Sequence, residues 1–533
     1  MITAGTVRDE VLDVLRRAGA TRIFGNPGST EIPFLGDLPK EFEFVLGLHE
    51  GPVVGIATGY ALATGRPAVV NLHTAAGLGN AVNAIACARD ARVPLVVIVG
   101  QQDRRQLALE PFLSGRSLDR LAGDYPVWST FPASAGEVPG AIARAWHEAV
   151  VHRGPALVVV PMGDWDEVVG DDRGAVATPA ELVQAPALDG SALAELVQLV
   201  EGSRSPVLVV GTGTDSREGW DAVVALAERL ACPVWQDTFS SRAGFPQDHA
   251  HFAGHLPWRR SELRALFADV DLVLAVGTPG LRLYMYDPGP LLGPDTRFAV
   301  VSEFDDEVLR SPCDLAVLAQ PKAVCAELAA RLAQRSGANG AVLARPPAPA
   351  PPEDGEPLQA AHLVSALAER LPTDAVLVEE APSTRPEILS RIAIRSPLGF
   401  VAVANGTLGY GLAGAIGLRM ALPERPVVGL LGDGSSTYSI QGLWTAAHYG
   451  IGAVFLVVGN GRYGVMDELV RAQGMTGAWP AFEELDLAAV ARGFGCASRR
   501  VTTHDELEDA LDHAFDGIRE RSEPLLVDVR VSV

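Results

Sequence analysis

The sequence lacks the features that would direct it to a membrane or to a nucleic acid. No stretch approaches the roughly 18 uninterrupted apolar residues of a membrane span. The N-terminal segment MITAGTVRDEVLDVLRRAGA carries charges throughout instead of the apolar centre of a signal peptide. There is no block rich in lysine or arginine, and the formal net charge of −22 repels polyphosphate. We therefore predict a cytoplasmic protein whose partners include neither a membrane nor a nucleic acid.

Cysteines are few, and two nucleotide-binding motifs are absent or incomplete. Five cysteines are scattered along 533 residues without the spacing of a metal site, at Cys87, Cys232, Cys313, Cys325 and Cys496. This distribution predicts buried thiols in a reducing compartment and no disulfides. The motif GxxxxGK[ST] does not occur, and GTGTD at 211–215 is only a fragment of a dinucleotide fingerprint. The sequence therefore does not indicate a P-loop nucleotide hydrolase.

The sequence does contain a series of short apolar runs with helical stretches between them. Its composition, with 48% hydrophobic and 20% charged residues, is that of a folded α/β protein. The runs are PAVVNLH, PLVVIVG, PALVVVP, PVLVVGTG, DLVLAVG, RFAVVSE, PVVGLLGDG and AVFLVVGN. They are continuously apolar rather than alternating, which is typical of parallel strands covered on both faces. We predict an α/β fold with several doubly wound parallel sheets.

Two breaks in this pattern divide the chain. Residues 335–358 are dominated by proline and alanine, and residues 166–190 are polar and without periodicity. The predicted segments are an N-terminal domain (1–170), a central α/β domain (185–335), a Pro/Ala-rich linker (336–358) and a C-terminal domain (359–533).

The two outer domains share a local pattern. Residues 55–72 and 414–431 each contain a small-residue helix, then Arg-Pro, then a valine-rich strand. Helix-turn-strand units converge easily, so the pattern leaves open whether the domains arose by duplication.

Asp433 and Asn460 follow two successive apolar runs. Ligands of open parallel sheets bind at the carboxyl ends of strands, and a right-handed crossover usually makes two such strands neighbours. The two side chains are hard oxygen donors, and Gly461 permits a turn that aims the carbonyl of Arg462 at the same point. This set predicts a Mg²⁺ site with a diphosphate as its ligand. The alternative is that Asp433 only caps the helix that follows it.

The segment GDGSSTYSIQGLWTAAHYGIGAVFLVVGNGRYG resembles the magnesium and diphosphate motif of thiamine diphosphate enzymes. The resemblance continues in FGNPGSTEIPFLGDLP, FEFVLGLHEGPVVGIATGYALATGRPAVVNLHTAAGLGNA, PLVVIVGQQ, MYDPG and NGTLGYGLAGAIG. The chain is similar to the 2-oxo acid decarboxylase and acetolactate synthase family, in particular to its benzoylformate decarboxylases. The resemblance implies three doubly wound domains, with a pyrimidine-binding domain at the N-terminus and a diphosphate-binding and Mg²⁺-binding domain at the C-terminus.

Glu50 in GLHEGPVVG matches the glutamate that activates the cofactor in this family. Its carboxyl group is expected to hydrogen-bond the aminopyrimidine ring. Taken by itself, a glutamate between a strand and a helix is more often a solvated helix cap. Leu408 in NGTLGYG matches the apolar residue that bends the cofactor, although it also fits a core position.

The resemblance implies a full set of cofactor contacts. The expected contacts to thiamine diphosphate are Glu50, Leu408, Thr407, Gly432, Gly434, Ser435 and Ser383. The expected ligands of Mg²⁺, or of Ca²⁺ in its place, are Asp433, Asn460 and Arg462. The family commonly has two consecutive asparagines where this chain has Gly459 and Asn460, and only the second is the expected ligand. No FAD is expected in the central domain.

The substrate side of the site follows from the same resemblance. His73 in NLHTAAG matches a histidine that relays protons, and Ser29 in NPGST matches a serine that holds the substrate carboxylate. A single histidine after a strand is more often structural, but an imidazole suits protonation near neutral pH. Tyr284 stands where the relatives have a second histidine. The expected pocket residues are Phe112, Leu113, Ala402, Val465, Met466 and Leu469.

These residues predict a thiamine diphosphate-dependent and Mg²⁺-dependent decarboxylase that converts a 2-oxo acid with an aromatic or apolar side chain to an aldehyde and CO₂. One alternative is a carboligase that joins the intermediate to a second carbonyl compound. Another is a non-catalytic cofactor-binding subunit, which the joint presence of Glu50, His73, Asp433 and Asn460 disfavours. The resemblance also implies active sites at subunit interfaces, and hence a homodimer at least, with tetramers usual among relatives.

Overall fold

A computed structural model of the chain describes residues 5–169, 190–336, 343–353 and 355–532. Within these residues it contains three six-stranded sheets with helices between most successive strands, which confirms the predicted α/β fold. The predicted boundary between 170 and 185 lies outside the described residues, as do 337–342 and 354 of the predicted linker. None of the described helices combines the length and the apolarity that a membrane crossing requires.

The chain divides into two compact units. One comprises Met1–Leu182, Val378–Ser383 and Asn405–Val533, and the other comprises Val183–Leu377 and Thr384–Ala404.

The N-terminal sheet is built from strands that are mostly buried on both faces. Its strands are Arg22–Asn26 (β1), Glu43–Leu46 (β2), Ala68–Leu72 (β3), Leu95–Gln101 (β4), Trp128–Thr130 (β5) and Pro155–Pro161 (β6). Its helices are Val7–Arg17 (α1), Ile32–Leu35 (α2), Glu50–Thr64 (α3), Thr74–Asp90 (α4), Leu118–Leu121 (α5) and Val138–His152 (α6). The order is β2-β1-β3-β4-β6-β5 with parallel pairing, and every residue of β3, β4 and β6 is buried. Burial on both faces explains the continuous apolarity of these runs.

The central sheet has the strands Pro206–Val210 (β7), Val234–Gln236 (β8), Phe252–His255 (β9), Leu272–Val276 (β10), Arg297–Ser302 (β11) and Leu315–Leu318 (β12). Its helices are Gly190–Gly202 (α7), Arg217–Leu230 (α8), Arg260–Leu266 (α9), Asp305–Arg310 (α10) and Pro321–Arg331 (α11). The order β12-β11-β10-β7-β8-β9 is that of a doubly wound dinucleotide-type sheet. The described part of the predicted linker is anchored in the same unit, because Arg345 donates to the carbonyls of Gln247, Ser390 and Ile392.

The C-terminal sheet has the strands Val376–Glu380 (β13), Phe400–Ala402 (β14), Val427–Gly432 (β15), Val454–Gly459 (β16), Ala497–Val501 (β17) and Leu525–Arg530 (β18). Its helices are Ala360–Arg370 (α12), Arg385–Arg391 (α13), Gly411–Ala421 (α14), Asp433–Ser436 (α15), Gly442–His448 (α16), Gly464–Ala472 (α17), Leu487–Gly493 (α18) and His504–Phe515 (α19). The order is β14-β13-β15-β16-β18-β17. Counted from its first strand, this order is identical to that of the N-terminal sheet.

Helices α3 and α14 are equivalent, because each follows the second strand of its own sheet along the chain. They pack against each other through small residues. A Cβ atom on Gly59 would lie 2.2 Å from the carbonyl oxygen of Gly414, and one on Gly417 would lie 1.9 Å from that of Ile56. Glycine is therefore required at both positions. The shared strand order and these equivalent helices are what a duplication of one domain would leave.

Candidate active site

Asp433 lies at the carboxyl end of β15, where the sequence predicts a ligand. It is 4% exposed, and it begins the short helix α15. Its Oδ1 accepts a hydrogen bond from the N–H of Gly434 (2.7 Å), and its Oδ2 accepts one from the N–H of Gly461 (2.6 Å). The Asp433 carboxylate therefore does more than cap α15, because it also binds the turn that follows β16. Burial raises the pKa of Asp433, while the two N–H donors oppose that shift.

Strand β16, which Asn460 follows directly, is the neighbour of β15, as the right-handed crossover predicts. Gly432 pairs with Val458 in parallel register. Asn460 Oδ1 accepts from the N–H of Arg462 (3.1 Å), across a turn in which Gly461 has φ +68°. A non-glycine residue is strained at that angle, so Gly461 is what permits the turn.

The sequence SSTYSIQGLWTAAHYG predicts one helix between the two apolar runs, and the connection between β15 and β16 differs from that prediction. It forms two short helices, α15 and α16, separated by turns. Ser436 Oγ donates to Gly432 O and Thr437 Oγ1 donates to Gly434 O, both at 2.7 Å. Such local side-chain hydrogen bonds compete with a continuing helix. Ser435 Oγ also donates to a main-chain oxygen, that of Glu380, at 2.7 Å. Of the two donors of Ser435, only the main-chain N–H is therefore left to bind an anion.

Ser383 and Asn460 converge on the start of α17. Ser383 Oγ accepts from the N–H of Val465 (2.9 Å). A Cβ atom on Gly464 would lie 3.0 Å from Ser383 Oγ and 3.1 Å from Asn460 Nδ2. The structure thus brings one predicted cofactor contact, one predicted metal ligand and one predicted pocket residue to a single corner of the C-terminal sheet.

Thr407 and Leu408 lie in a segment held by a buried carboxylate. Glu380 accepts hydrogen bonds from the N–H groups of Gly409, Tyr410 and Gly411, at 2.7, 2.9 and 2.6 Å. Burial raises the pKa of Glu380 to about 7, although these three donors oppose the shift. Glu380 therefore fixes the main chain directly after Leu408.

A second set of contacts holds this segment to α4. Asn83 Nδ2 donates to Leu408 O (3.1 Å), and Cys87 Sγ lies 2.9 Å from Thr407 Oγ1. Burial raises the pKa of the Cys87 thiol to about 11, so this cysteine is an uncharged packing group.

Glu50 is the first residue of α3 and is 8% exposed, which argues against a solvated cap. Its Oε1 accepts from Asn26 Nδ2 (3.2 Å), and its Oε2 accepts from Asn80 Nδ2 (3.0 Å). Asn26 ends β1 and Asn80 lies on α4, so the carboxylate is held by two separate elements. Such a fixed carboxylate is suited to hydrogen-bonding a ligand.

His73 is the N-cap of α4, and its ring is fixed by two neighbours. Its Nδ1 lies 2.9 Å from Thr30 Oγ1 and 2.9 Å from Glu31 Oε2. The next residue, Thr74, has φ +40°, which is an outlier for a β-branched side chain and is typical of functional sites. A Cβ atom on Gly28 would lie 2.4 Å from the His73 ring, so glycine there lets the ring approach.

Glu31 is a functional candidate that the sequence reasoning missed. It is 1% exposed, and it also accepts from the N–H of Gly28 (2.7 Å) and from Thr30 Oγ1 (2.5 Å). The available signal was local: an acidic residue three positions after Gly28 has the spacing of a capping box. Ser29, between them, is exposed in the same turn.

The predicted pocket residues differ in exposure. Val465 and Leu469 are half-buried on α17, and Met466 on the same helix is 42% exposed. Phe112 is 88% exposed and Leu113 is 42% exposed, in the segment that follows β4.

Tyr284 and Ala402 belong to the other compact unit. Tyr284 is 45% exposed, and its ring stacks on Trp258 with centroids 5.7 Å apart. Ala402 is buried in β14, where its N–H donates to the carbonyl of Ser241.

The oxygen donors around Asp433 fit a hard divalent cation. Asp433 supplies a carboxylate and Asn460 an amide oxygen, and each Asp433 oxygen keeps a lone pair beyond the N–H it accepts. In the part of the chain that the structure describes, no group of three or more His, Cys, Asp or Glu side chains forms a metal cage. A cation here would need main-chain, water or phosphate oxygens as further ligands, which is the usual coordination of Mg²⁺.

Comparisons with known proteins identify the family. Family models match residues 5–118 (thiamine pyrophosphate enzyme, N-terminal TPP binding domain), 193–328 (central domain) and 388–529 (C-terminal TPP binding domain). Benzoylformate decarboxylase of Pseudomonas aeruginosa is 38% identical over 98% of both chains. The acetolactate synthase large subunit of Parasynechococcus marenigrum is 28% identical over 98% of this chain and 86% of its own.

A solved structure agrees with this result. The thiamine diphosphate-dependent 4-hydroxybenzoylformate decarboxylase of Rhodococcus jostii RHA1 superimposes with a TM-score of 0.93, at 33% identity and over 99% of both chains. The predicted family, fold and enzyme class are confirmed. The chain belongs to the thiamine pyrophosphate enzyme family, among its 2-oxo acid decarboxylases.

Proposed function

We propose that the enzyme decarboxylates a 2-oxo acid with an aromatic or apolar side chain, without net oxidation, to an aldehyde and CO₂. The observation that carries this proposal is the buried Glu50 carboxylate, held by Asn26 and Asn80 in the TPP-binding N-terminal domain. The substrate class is supported by the benzoylformate and 4-hydroxybenzoylformate decarboxylases that the chain resembles.

In this proposal the two outer domains supply the cofactor contacts. When bound, thiamine diphosphate supplies the electron sink for the pair left by CO₂. Glu50 would hydrogen-bond its pyrimidine ring. Asp433, Asn460 and the carbonyl of Arg462 would hold Mg²⁺, or Ca²⁺ in its place. The remaining proposed contacts to the cofactor are Ser383, Thr407, Leu408, Gly432, Gly434 and Ser435.

His73 is proposed to move the proton at the reacting carbon. Its Nδ1 faces the Glu31 carboxylate, so a proton held there leaves Nε2 to act on the substrate. Ser29 is exposed and is proposed to bind the substrate carboxylate. The proposed pocket walls are Phe112, Leu113, Ala402, Val465, Met466 and Leu469, and Tyr284 is proposed as a second proton donor.

We further propose a cytoplasmic homo-oligomer, a dimer at least and a tetramer by likeness to the family. The five cysteines are free thiols, which is typical of a reducing compartment.

A carboligase is the second candidate, and Tyr284 is the observation that favours it. A phenol has a far higher intrinsic pKa than an imidazole, so late protonation would be slower and the intermediate would persist for a second carbonyl compound. The acetolactate synthase relative is consistent with such chemistry.

A panel of 2-oxo acids tests both candidates. The purified enzyme, with thiamine diphosphate and Mg²⁺ but without FAD, should release CO₂ and aldehyde from aryl, arylalkyl or branched substrates. If none releases CO₂, the proposed reaction is wrong. Repeating the assay with an added aldehyde separates the candidates, because a carboligase would convert that aldehyde to a hydroxyketone.

A further inference from the structure

Arg530, the last residue of β18, is positioned beside the turn that follows β16. It pairs with Gly459 in the parallel register of these strands. Its Nη2 donates to the carbonyl of Glu483 (2.9 Å) and lies 3.3 Å from that of Leu485. One half-buried guanidinium therefore fixes the main chain of residues 482–485, which has no regular secondary structure.

That segment in turn holds the turn at Gly461. The N–H of Phe482 donates to Gly461 O (2.7 Å), and a Cβ atom on Gly461 would lie 2.8 Å from Glu483 Cγ. On its other side, the N–H of Gly461 donates to Asp433 Oδ2 (2.6 Å). Both polar groups of Gly461 are thus committed. The residues that flank it, Asn460 and Arg462, are placed by the same contacts.

Gly459 leaves the space that the arginine occupies. A Cβ atom there would lie 2.8 Å from Asp528 Oδ1, 3.1 Å from Arg530 Nη1 and 3.2 Å from Arg530 Cδ. Asp528 has little freedom to yield, because it is fully buried and its Oδ2 accepts from Arg500 Nε (3.1 Å). Any side chain at position 459 would therefore push Arg530 away from the carbonyls that it binds.

We propose that Arg530 is a positioning residue for the metal site: through residues 482–485 it sets the turn that presents Asn460 and the carbonyl of Arg462. The inference rests on the proposed metal site. Groups that orient metal ligands typically change metal affinity about 10- to 100-fold when they are removed. Arg530→Ala should weaken metal binding by a factor in that range, because the two carbonyls lose their donor and the turn is no longer held.

The test measures Mn²⁺ binding to the full-length protein at saturating thiamine diphosphate, from the EPR signal of free Mn²⁺. Arg530→Ala should raise the Kd about 10-fold or more and leave the Tm of the metal-free protein close to that of the wild type. Arg499→Ala is the matched control, since it removes the same charge from the adjacent strand β17, where Arg499 pairs with Asp509. Arg530→Lys should recover part of the affinity, because an ammonium keeps the charge but does not bridge two carbonyls as a guanidinium does.

Gly459→Ala provides an independent variant. It should weaken Mn²⁺ binding like Arg530→Ala, and the double variant should lose no more than either single variant, because both changes break one contact. Equal affinities in Arg530→Ala and Arg499→Ala would overturn the proposal, whether both are normal or both are reduced. Asp433→Ala distinguishes a failure of the metal site from a failure of the role of Arg530. Normal Mn²⁺ binding in Asp433→Ala would disprove the metal site itself. Weakened binding in Asp433→Ala together with normal binding in Arg530→Ala and Gly459→Ala would disprove only the role of Arg530.

Discussion

Glu31 Oε2 lies 2.9 Å from His73 Nδ1, although the two residues are 42 positions apart in the sequence. The carboxylate is buried and the imidazole is 15% exposed, so the ring has a fixed inner partner and an accessible outer face. A carboxylate in this position selects the tautomer of the imidazole and fixes the orientation of its ring. Proton transfer by His73 should therefore depend on Glu31.

Glu31→Gln tests this dependence. We expect kcat to fall about 100-fold, at the lower end of the roughly 10²- to 10⁴-fold range attributed to general acid–base groups, because the amide does not hold the imidazole in the same tautomer. The affinity for thiamine diphosphate should not change. Full activity with an unaltered pH profile of kcat would show that Glu31 has only a structural role. Glu31→Asp, which keeps the charge, is the control and should recover part of the rate.

Glu50→Gln should bind thiamine diphosphate almost normally and yet lose most turnover. The amide retains the shape of the side chain, and it keeps its place when Asn26 or Asn80 turns its Oδ1 toward the new Nε2–H donor, but it does not supply a carboxyl proton acceptor. Calorimetric titration of the cofactor and a CO₂-release assay on the same preparation measure the two effects. If turnover stays near that of the wild type, Glu50 does not activate the cofactor.

The sequence predicted those parts of the fold whose cause is local. Each apolar run became a strand because burial on both faces requires continuous apolarity, as in β4 and β16. The edge strand β17 was not predicted, and neither were the buried strands β13 and β18. β17, with the sequence ASRRV, keeps exposed and half-buried polar residues because an edge strand has only one neighbouring strand.

The site was predictable where a residue stands at the end of a recognisable strand. Asp433 and Asn460 are such cases, because the order of neighbouring strands follows from the crossover rule. Glu31 and Arg530 are not, because their partners are set by side-chain packing between segments that are distant in sequence. Composition and periodicity carry no information about such contacts.

The stability of the protein should depend on pH through Glu380. Burial raises its pKa from an ordinary 4.5 to about 7. Between these two pH values, Glu380 is therefore protonated in the folded state and ionised in the unfolded state. The resulting stabilisation is complete below pH 4.5 and is lost as the pH rises to 7. From pH 5 to pH 8 the free energy of unfolding of the wild type should fall by about 2 to 3 kcal/mol relative to that of Glu380→Gln.

Thermal melting of both proteins across that pH range measures the effect. The Tm of the wild type should fall relative to that of the variant as the pH rises. Glu387→Gln on α13, where the side chain is 41% exposed, should melt in parallel with the wild type. Parallel curves for wild type and Glu380→Gln would show that Glu380 does not titrate in this range.

The enzyme should turn over benzoylformate but prefer another substrate. The resemblance to benzoylformate decarboxylases implies phenylalanines at the positions of Ala402 and Leu469, so two aromatic walls of the proposed pocket would be absent. Each lost aromatic contact is worth about 0.5 to 1.5 kcal/mol, which corresponds to up to roughly tenfold in binding. Measurement of kcat/KM across aryl, arylalkyl and branched aliphatic 2-oxo acids decides the matter, and a clear optimum at benzoylformate would contradict the prediction.

Tyr284 should govern whether the intermediate is protonated or joined to a second carbonyl compound. Its half-exposed ring is held against Trp258, and its hydroxyl donates a proton less readily than an imidazolium does. Tyr284→His should therefore raise the ratio of aldehyde to ligated product from a single 2-oxo acid with an added aldehyde. Tyr284→Phe is the matched control: it keeps a ring that can stack on Trp258 but removes the hydroxyl, so the same ratio should fall. Opposite changes of the aldehyde-to-product ratio in the two variants would show that the side chain at position 284 donates a proton to the intermediate. An unchanged ratio in both variants would show that it does not.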